Sequence, residues 1–89
     1  MMADKAATTR LLKTARGQLD GLLKMVEDDR YCIDISNQLM ATQAILSKVN
    51  RMVLKAHMEG CVRAALESGQ TDTEAKINEL VAVIDKLSK

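Results

Sequence analysis

Proline, phenylalanine and tryptophan are absent from the 89 residues, tyrosine occurs once (Tyr31), and there are only four glycines. Long uninterrupted helices need little proline or glycine, whereas sheets lean on aromatic and β-branched residues and base-stacking surfaces on exposed aromatics. Charge of one dominant sign is also missing: thirteen Lys and Arg against twelve Asp and Glu leave a net charge of +1. Bulk charge therefore announces no polyanionic partner. No apolar run approaches a membrane span, and the polar N-terminus is followed by no apolar block of the secretory kind. These absences predict a single small all-α domain over residues 1–89, cytoplasmic and without a membrane partner. In that compartment Cys32 and Cys61 are expected to be reactive or metal-binding rather than joined in a disulfide.

What is present is apolar residues at helical spacing. Over residues 5–28, Leu12, Ala15, Leu19, Leu22 and Val26 trace one stripe, widened by Leu11 and Leu23, while Arg10, Lys13, Arg16 and Lys24 lie away from it. An acidic turn, Glu27-Asp28-Asp29-Arg30, separates this helix from a second that starts near Tyr31 and runs to about Leu66. In the second, Ile35, Leu39, Thr42, Leu46, Val49, Val53, Ala56 and Gly60 recur as a 4-3-4-3 series, the mark of a long seam against other helices. At 1.5 Å per residue this helix is on the order of 50 Å long. Neither neighbour is that long, so another copy of the chain must cover much of its apolar surface. Ser68-Gly69 supplies a stop and Thr71 to Glu74 a possible capping box. A third helix, about 73–88, presents Ile77, Leu80, Val81, Ile84 and Leu87. The expectation is a three-helix protomer with a long central helix, an antiparallel dimer with a core like a four-helix bundle, and a dimer of dimers.

The only histidine, His57, precedes Cys61 by four residues, so imidazole and thiolate share a helix face. Cys32 lies 25 and 29 residues earlier on the same helix, which is ~38–44 Å away along its axis. No chelate within one chain is possible at that separation. In an antiparallel dimer, however, the start of one long helix lies beside the end of the other, and Cys32 of one chain meets His57 and Cys61 of its partner. Two thiolates and one imidazole suit trigonal Cu(I); Zn(II) would usually want a fourth ligand, and a square Ni(II) site more nitrogen donors. Spacing alone leaves two other readings open: an inert cysteine beside a hydrogen-bonded histidine, and thiol redox chemistry.

The sequence resembles the copper-sensitive operon repressors, all-α bacterial DNA-binding regulators. The resemblance covers nearly the whole chain and is carried by Leu12-Lys13-Thr14-Ala15-Arg16-Gly17-Gln18-Leu19-Asp20-Gly21, Tyr31-Cys32-Ile33-Asp34, Asn50-Arg51 and His57-Met58-Glu59-Gly60-Cys61. It implies Cu(I) as the cofactor, with Cys32, His57 and Cys61 matching the three ligands of the copper branch. It also implies that Tyr31 and Glu79 link the ligating histidine to its surroundings. Nickel and cobalt sensors of the family add histidines and the formaldehyde sensor an N-terminal proline, and this chain has neither. Persulfide sensors keep both cysteines but lack the histidine.

Family members have no helix-turn-helix, and none is visible here. The candidates for DNA contact are Arg10, Lys13 and Arg16 on the first helix and Lys48, Arg51 and Lys55 on the second, residues 48, 51 and 55 sharing a face. The family's first-helix DNA-contacting arginine falls at Leu11, with Arg10 beside it. The reading implied is a homodimeric or homotetrameric repressor whose apo form holds operator DNA and whose Cu(I) form releases it, derepressing copper-resistance genes. A persulfide or thiol redox repressor using Cys32 and Cys61 is the alternative, and a copper chaperone without DNA binding a third class. No general base is paired with a substrate pocket, so neither an enzyme nor a small organic substrate is expected.

Overall fold

A computed structural model of the chain describes Met1, residues 3–68 and residues 73–87. It contains three helices, α1 (Lys5–Glu27), α2 (Cys32–Ser68) and α3 (Thr73–Leu87), and no strand among the described residues. All three sequence boundaries hold to within two residues. Gly69 and the Thr71 half of the expected capping box lie outside the described residues.

Each boundary has a local cause. Asp4 caps α1, its carboxylate accepting from the amides of Ala6 at 3.0 Å and Ala7 at 3.2 Å. At the other end the amides of Asp28, Asp29 and Arg30 donate to the carbonyls of Lys24, Val26 and Met25, and Asp29 takes a left-handed φ of 52°. Aspartate tolerates that conformation better than most residues, so four residues reverse the chain. The Tyr31 carbonyl then accepts from Asp34 and Ile35, opening α2.

α1 folds back along the first half of α2. The two sides of this hairpin are pinned where the Thr42 hydroxyl donates to Gln18 Oε1 at 2.7 Å. Ala15 and Leu22 from α1 and Val49 from α2 form the buried apolar core, with Thr8 and Thr42 buried beside them. The 4-3-4-3 series of α2 therefore splits in two. Thr42 and Val49 are buried, with Ile35 and Ala56 partly covered on the same stripe, whereas Leu39 and Leu46 remain 45% and 44% exposed. Leu12 and Leu19 of α1 are exposed to a similar degree, and helix periodicity puts them on the same side of the hairpin as Leu39 and Leu46.

The Cα trace measures 58 × 28 × 13 Å. Helices pack 8–10 Å apart, so the shortest dimension leaves room for about one layer of them. A single layer can bury only the edges where its helices touch, and stable domains need two. The exposed leucines on one broad side are thus an unfinished core.

Candidate functional site

His57 and Cys61, one turn apart on α2, face each other: Cys61 Sγ lies 3.5 Å from His57 Nε2. α3 brings a third group, Glu79, whose Oε1 is 3.9 Å from the same ring nitrogen. At that distance the carboxylate is near the ring without a direct hydrogen bond to it, close enough to act on its orientation. Cys61 is partly covered, while Cys32 is exposed at the first position of α2. Because α2 is unbroken from Cys32 to Ser68, Cys32 stands ~38 Å or more from His57 along the axis. Among the described residues, no three His, Cys, Asp or Glu side chains of one chain are grouped to hold an ion.

The structure thus brings together His57, Cys61 and Glu79 and keeps Cys32 and Tyr31 at the far end of the rod. The Tyr31 side chain is 69% exposed. As a donor set, two thiolates and one imidazole fit a thiophilic three-coordinate ion, with a carboxylate to orient the ring. They do so only if a second chain supplies Cys32.

All six candidate DNA contacts are exposed. The Gln18–Thr42 pin, with the turn and the small core, sets the register of the hairpin and places Arg10 and Lys13 at about the same level as Lys48 and Arg51. Helix periodicity puts Arg10, with Lys48, Arg51 and Lys55, on the side of the hairpin opposite the leucines, while Lys13 points away from α2 at the edge of that side. Arg16 points toward the outer edge and is not part of that face. Arg51 is steadied by Ser47, with Nη1 donating to Oγ at 3.1 Å. Gly17 and Gly21 share the cationic side, and a methyl group added at either would meet nothing within 4 Å. The hairpin therefore has one apolar broad side and one cationic one.

Gln18 was not among the site residues expected from sequence, and Thr42 was counted only as a member of the seam. A hydroxyl in an otherwise apolar series was the available signal, and an amide on the facing helix completes it.

Residues 4–86 match the family described as metal-sensitive transcriptional repressor. The copper-sensing transcriptional repressor CsoR of Mycobacterium ulcerans (strain Agy99) is 44% identical over 80 residues, which are 90% of this chain and 67% of that protein. The crystal structure of the copper-sensing repressor CsoR with Cu(I) from Geobacillus thermodenitrificans NG80-2 superposes with a TM-score of 0.82 at 40% identity, covering 94% of this chain and 85% of that one. The nickel-responsive transcriptional regulator InrS superposes nearly as well, with a TM-score of 0.80 at 26% identity over 97% and 94% of the two chains. Shape alone does not separate a copper from a nickel regulator. The donor atoms must.

Proposed function

The chain belongs to the metal-sensitive transcriptional repressors, and from that premise we propose that it is a Cu(I)-responsive repressor whose apo form binds operator DNA. Its regulation is binding rather than catalysis, and the family is one of regulators, not enzymes. The observation that carries the copper reading is the donor set: His57 is the only imidazole in the chain, and the Cys61 sulfur lies 3.5 Å from its ring. Nickel regulators need more nitrogen than one histidine gives. The copper-sensing names of the relatives, 39–44% identical over most of this chain, support the same assignment.

The site is completed by a second copy. The exposed leucine stripe is antiparallel-compatible in registers seven residues apart, and one of them sets Leu46 on the two-fold axis. Leu39 then lies against the partner's Val53, and Cys32 comes level with the partner's Gly60, between the partner's His57 and the partner's Cys61. Bound there, Cu(I) supplies a soft electrophilic centre that joins two chains. Cys32 brings in the turn between α1 and α2; His57 and Cys61 anchor the second half of α2; Glu79 orients the ring; Tyr31 enters from beside Cys32. Two sites per dimer follow from the symmetry.

Dimerising through the leucines leaves the cationic side free for phosphates. Arg10, Lys13, Lys48, Arg51 and Lys55 form that surface, with Arg16 at its margin. The exposed Met58, Val62 and Leu66 of α2 and Ile77, Val81 and Ile84 of α3 lie outside the first seam and serve the pairing of two dimers into a homotetramer. Among the described residues no helix is long and apolar enough to cross a membrane, and a DNA-bound regulator of this kind works in the cytoplasm.

The test is an anaerobic Cu(I) titration of the wild type and of Cys61→Ala, read by X-ray absorption and by an electrophoretic shift on promoter DNA. A two-sulfur, one-nitrogen shell and Cu(I)-dependent release in the wild type alone are expected. Release by Cys61→Ala at the same Cu(I) concentration would sink the assignment.

A further inference from the structure

An effector site at the ends of α2 can govern DNA binding only if a change in α2 reaches α1, since the cationic side is built from both helices. Three features of the hairpin decide how that happens. The core between the helices is apolar and small, consisting of Ala15, Leu22 and Val49. Such contacts are non-directional and let one helix roll or slide on the other at little cost. Next, the turn end is loosely filled: a cleft of about 400 Å³ lies there, lined by Gln18, Gly21, Lys24, Met25, Arg30 and Gln38. The turn, and Cys32 immediately after it, can therefore shift without displacing packed side chains. Finally, one directional contact bounds that cleft on its inner side. The Thr42 hydroxyl, in a residue only 2% exposed, donates to Gln18 Oε1 at 2.7 Å, its second acceptor being the Gln38 carbonyl at 3.1 Å. Among the described residues no other side chain-to-side chain hydrogen bond is shown between α1 and α2.

Resting on the sensor reading above, we propose that Thr42 and Gln18 are positioning residues that tie the attitude of α1 to that of α2 and so carry occupancy of the metal site to the cationic side. Thr42 lies ten residues beyond Cys32, ~15 Å along the same helix. Drawing Cys32 toward a partner chain turns or displaces the first turns of α2. The cleft absorbs the change at the turn, and the hydrogen bond obliges α1 to follow it at Gln18. Arg10 and Lys13 lie about two turns and about one and a half turns from Gln18 on the same rigid helix, so they shift relative to Lys48 and Arg51. The spacing of cations presented to the phosphates is altered without breaking any of their own contacts. With the pin removed, α1 settles on its apolar stripe independently of α2, and the two functions uncouple. Coupling then has a physical carrier with two arrangements rather than mere proximity.

The decisive quantity is the ratio of DNA affinities without and with Cu(I), which linkage makes equal to the ratio of Cu(I) affinities without and with DNA. Full-length wild type, Thr42→Val, Thr42→Ser and Gln18→Leu are compared anaerobically, with a duplex selected from random sequence by the wild-type apo protein. Wild type is expected to show a ratio in the usual range of about 5–150-fold. Thr42→Val, which keeps shape and loses the hydroxyl, is expected to retain Cu(I) affinity and apo-DNA affinity within about threefold while its ratio falls toward one; Thr42→Ser restores the ratio. Gln18 is only half-buried, so Gln18→Leu provides the same reading should Thr42→Val fold poorly. A wild-type ratio in both Thr42→Val and Gln18→Leu overturns the inference, even if their melting temperatures drop, because that is what a purely structural bond would give. A wild type with no ratio at all overturns the sensor reading, and the inference with it.

Discussion

At the scale of single residues, the site is a matter of which atom each neighbour occupies. Glu79 Oε1 stands 3.9 Å from Nε2 of His57, beside the nitrogen that Cys61 Sγ also approaches. Removing such an orienting carboxylate typically costs about 10–100-fold in metal affinity. Glu79→Ala is therefore expected to weaken Cu(I) binding by that order in a chelator competition while leaving apo-DNA binding unchanged. A loss equal to that of His57→Ala would instead make Glu79 a ligand. The pairing of His57 with Cys61 was legible in the sequence because four residues are one helical turn. The placement of Glu79 was legible only through the family resemblance, since nothing in the spacing of a carboxylate on a separate helix says which face of α2 it meets.

At the scale of elements, the helices were readable because caps, turn residues and apolar period agree with one another. Asp4 is a strong cap, and Asp4→Ala is expected to lower stability by about 1 kcal/mol in denaturant melts, through loss of both amide contacts. Gly17 and Gly21 run against helix propensity, each costing up to about 1 kcal/mol relative to alanine. Neither has a neighbour to accommodate. Gly17→Ala and Gly21→Ala are thus expected to raise the melting temperature; if the cationic side is the DNA surface, the added methyl groups sit where the sugar-phosphate backbone approaches, and operator affinity falls. Unchanged affinity in both variants would move the DNA to another surface. The sequence could not show this division into two broad sides. A 4-3-4-3 series says that a helix has partners, but not that Thr42 and Val49 face the chain's own α1 while Leu39 and Leu46 face outward. That distinction depends on the register of the hairpin, which the turn, the small core and the Thr42–Gln18 contact set together. Arg16 illustrates the same limit: grouped by sequence with Arg10 and Lys13, it falls at the margin because two steps of three residues carry it about 120° round the helix from Arg10.

At the scale of the whole molecule, charge and apolar surface are separated front from back, which is why a net charge of +1 is compatible with binding a polyanion. Each phosphate contact contributes about 0.9 to the logarithmic salt slope. Lys48→Ala or Arg51→Ala is expected to flatten that slope by about one unit and weaken binding across all sequences alike. A variant with the wild-type slope makes no phosphate contact at that position. In the proposed dimer Leu46 sits on the two-fold axis and is the most sensitive point of the seam: Leu46→Lys would bring two like charges together, and sedimentation is expected to show loss of the dimer.

That slab thickness of 13 Å has a thermodynamic corollary. A protomer whose own core is as small as Ala15, Leu22 and Val49 is expected to draw much of its folding free energy from association, so that its melting point depends on how much of it there is. Heating curves recorded at two dilutions should not superimpose, and scarcity in the cell would act on this chain as a denaturant does.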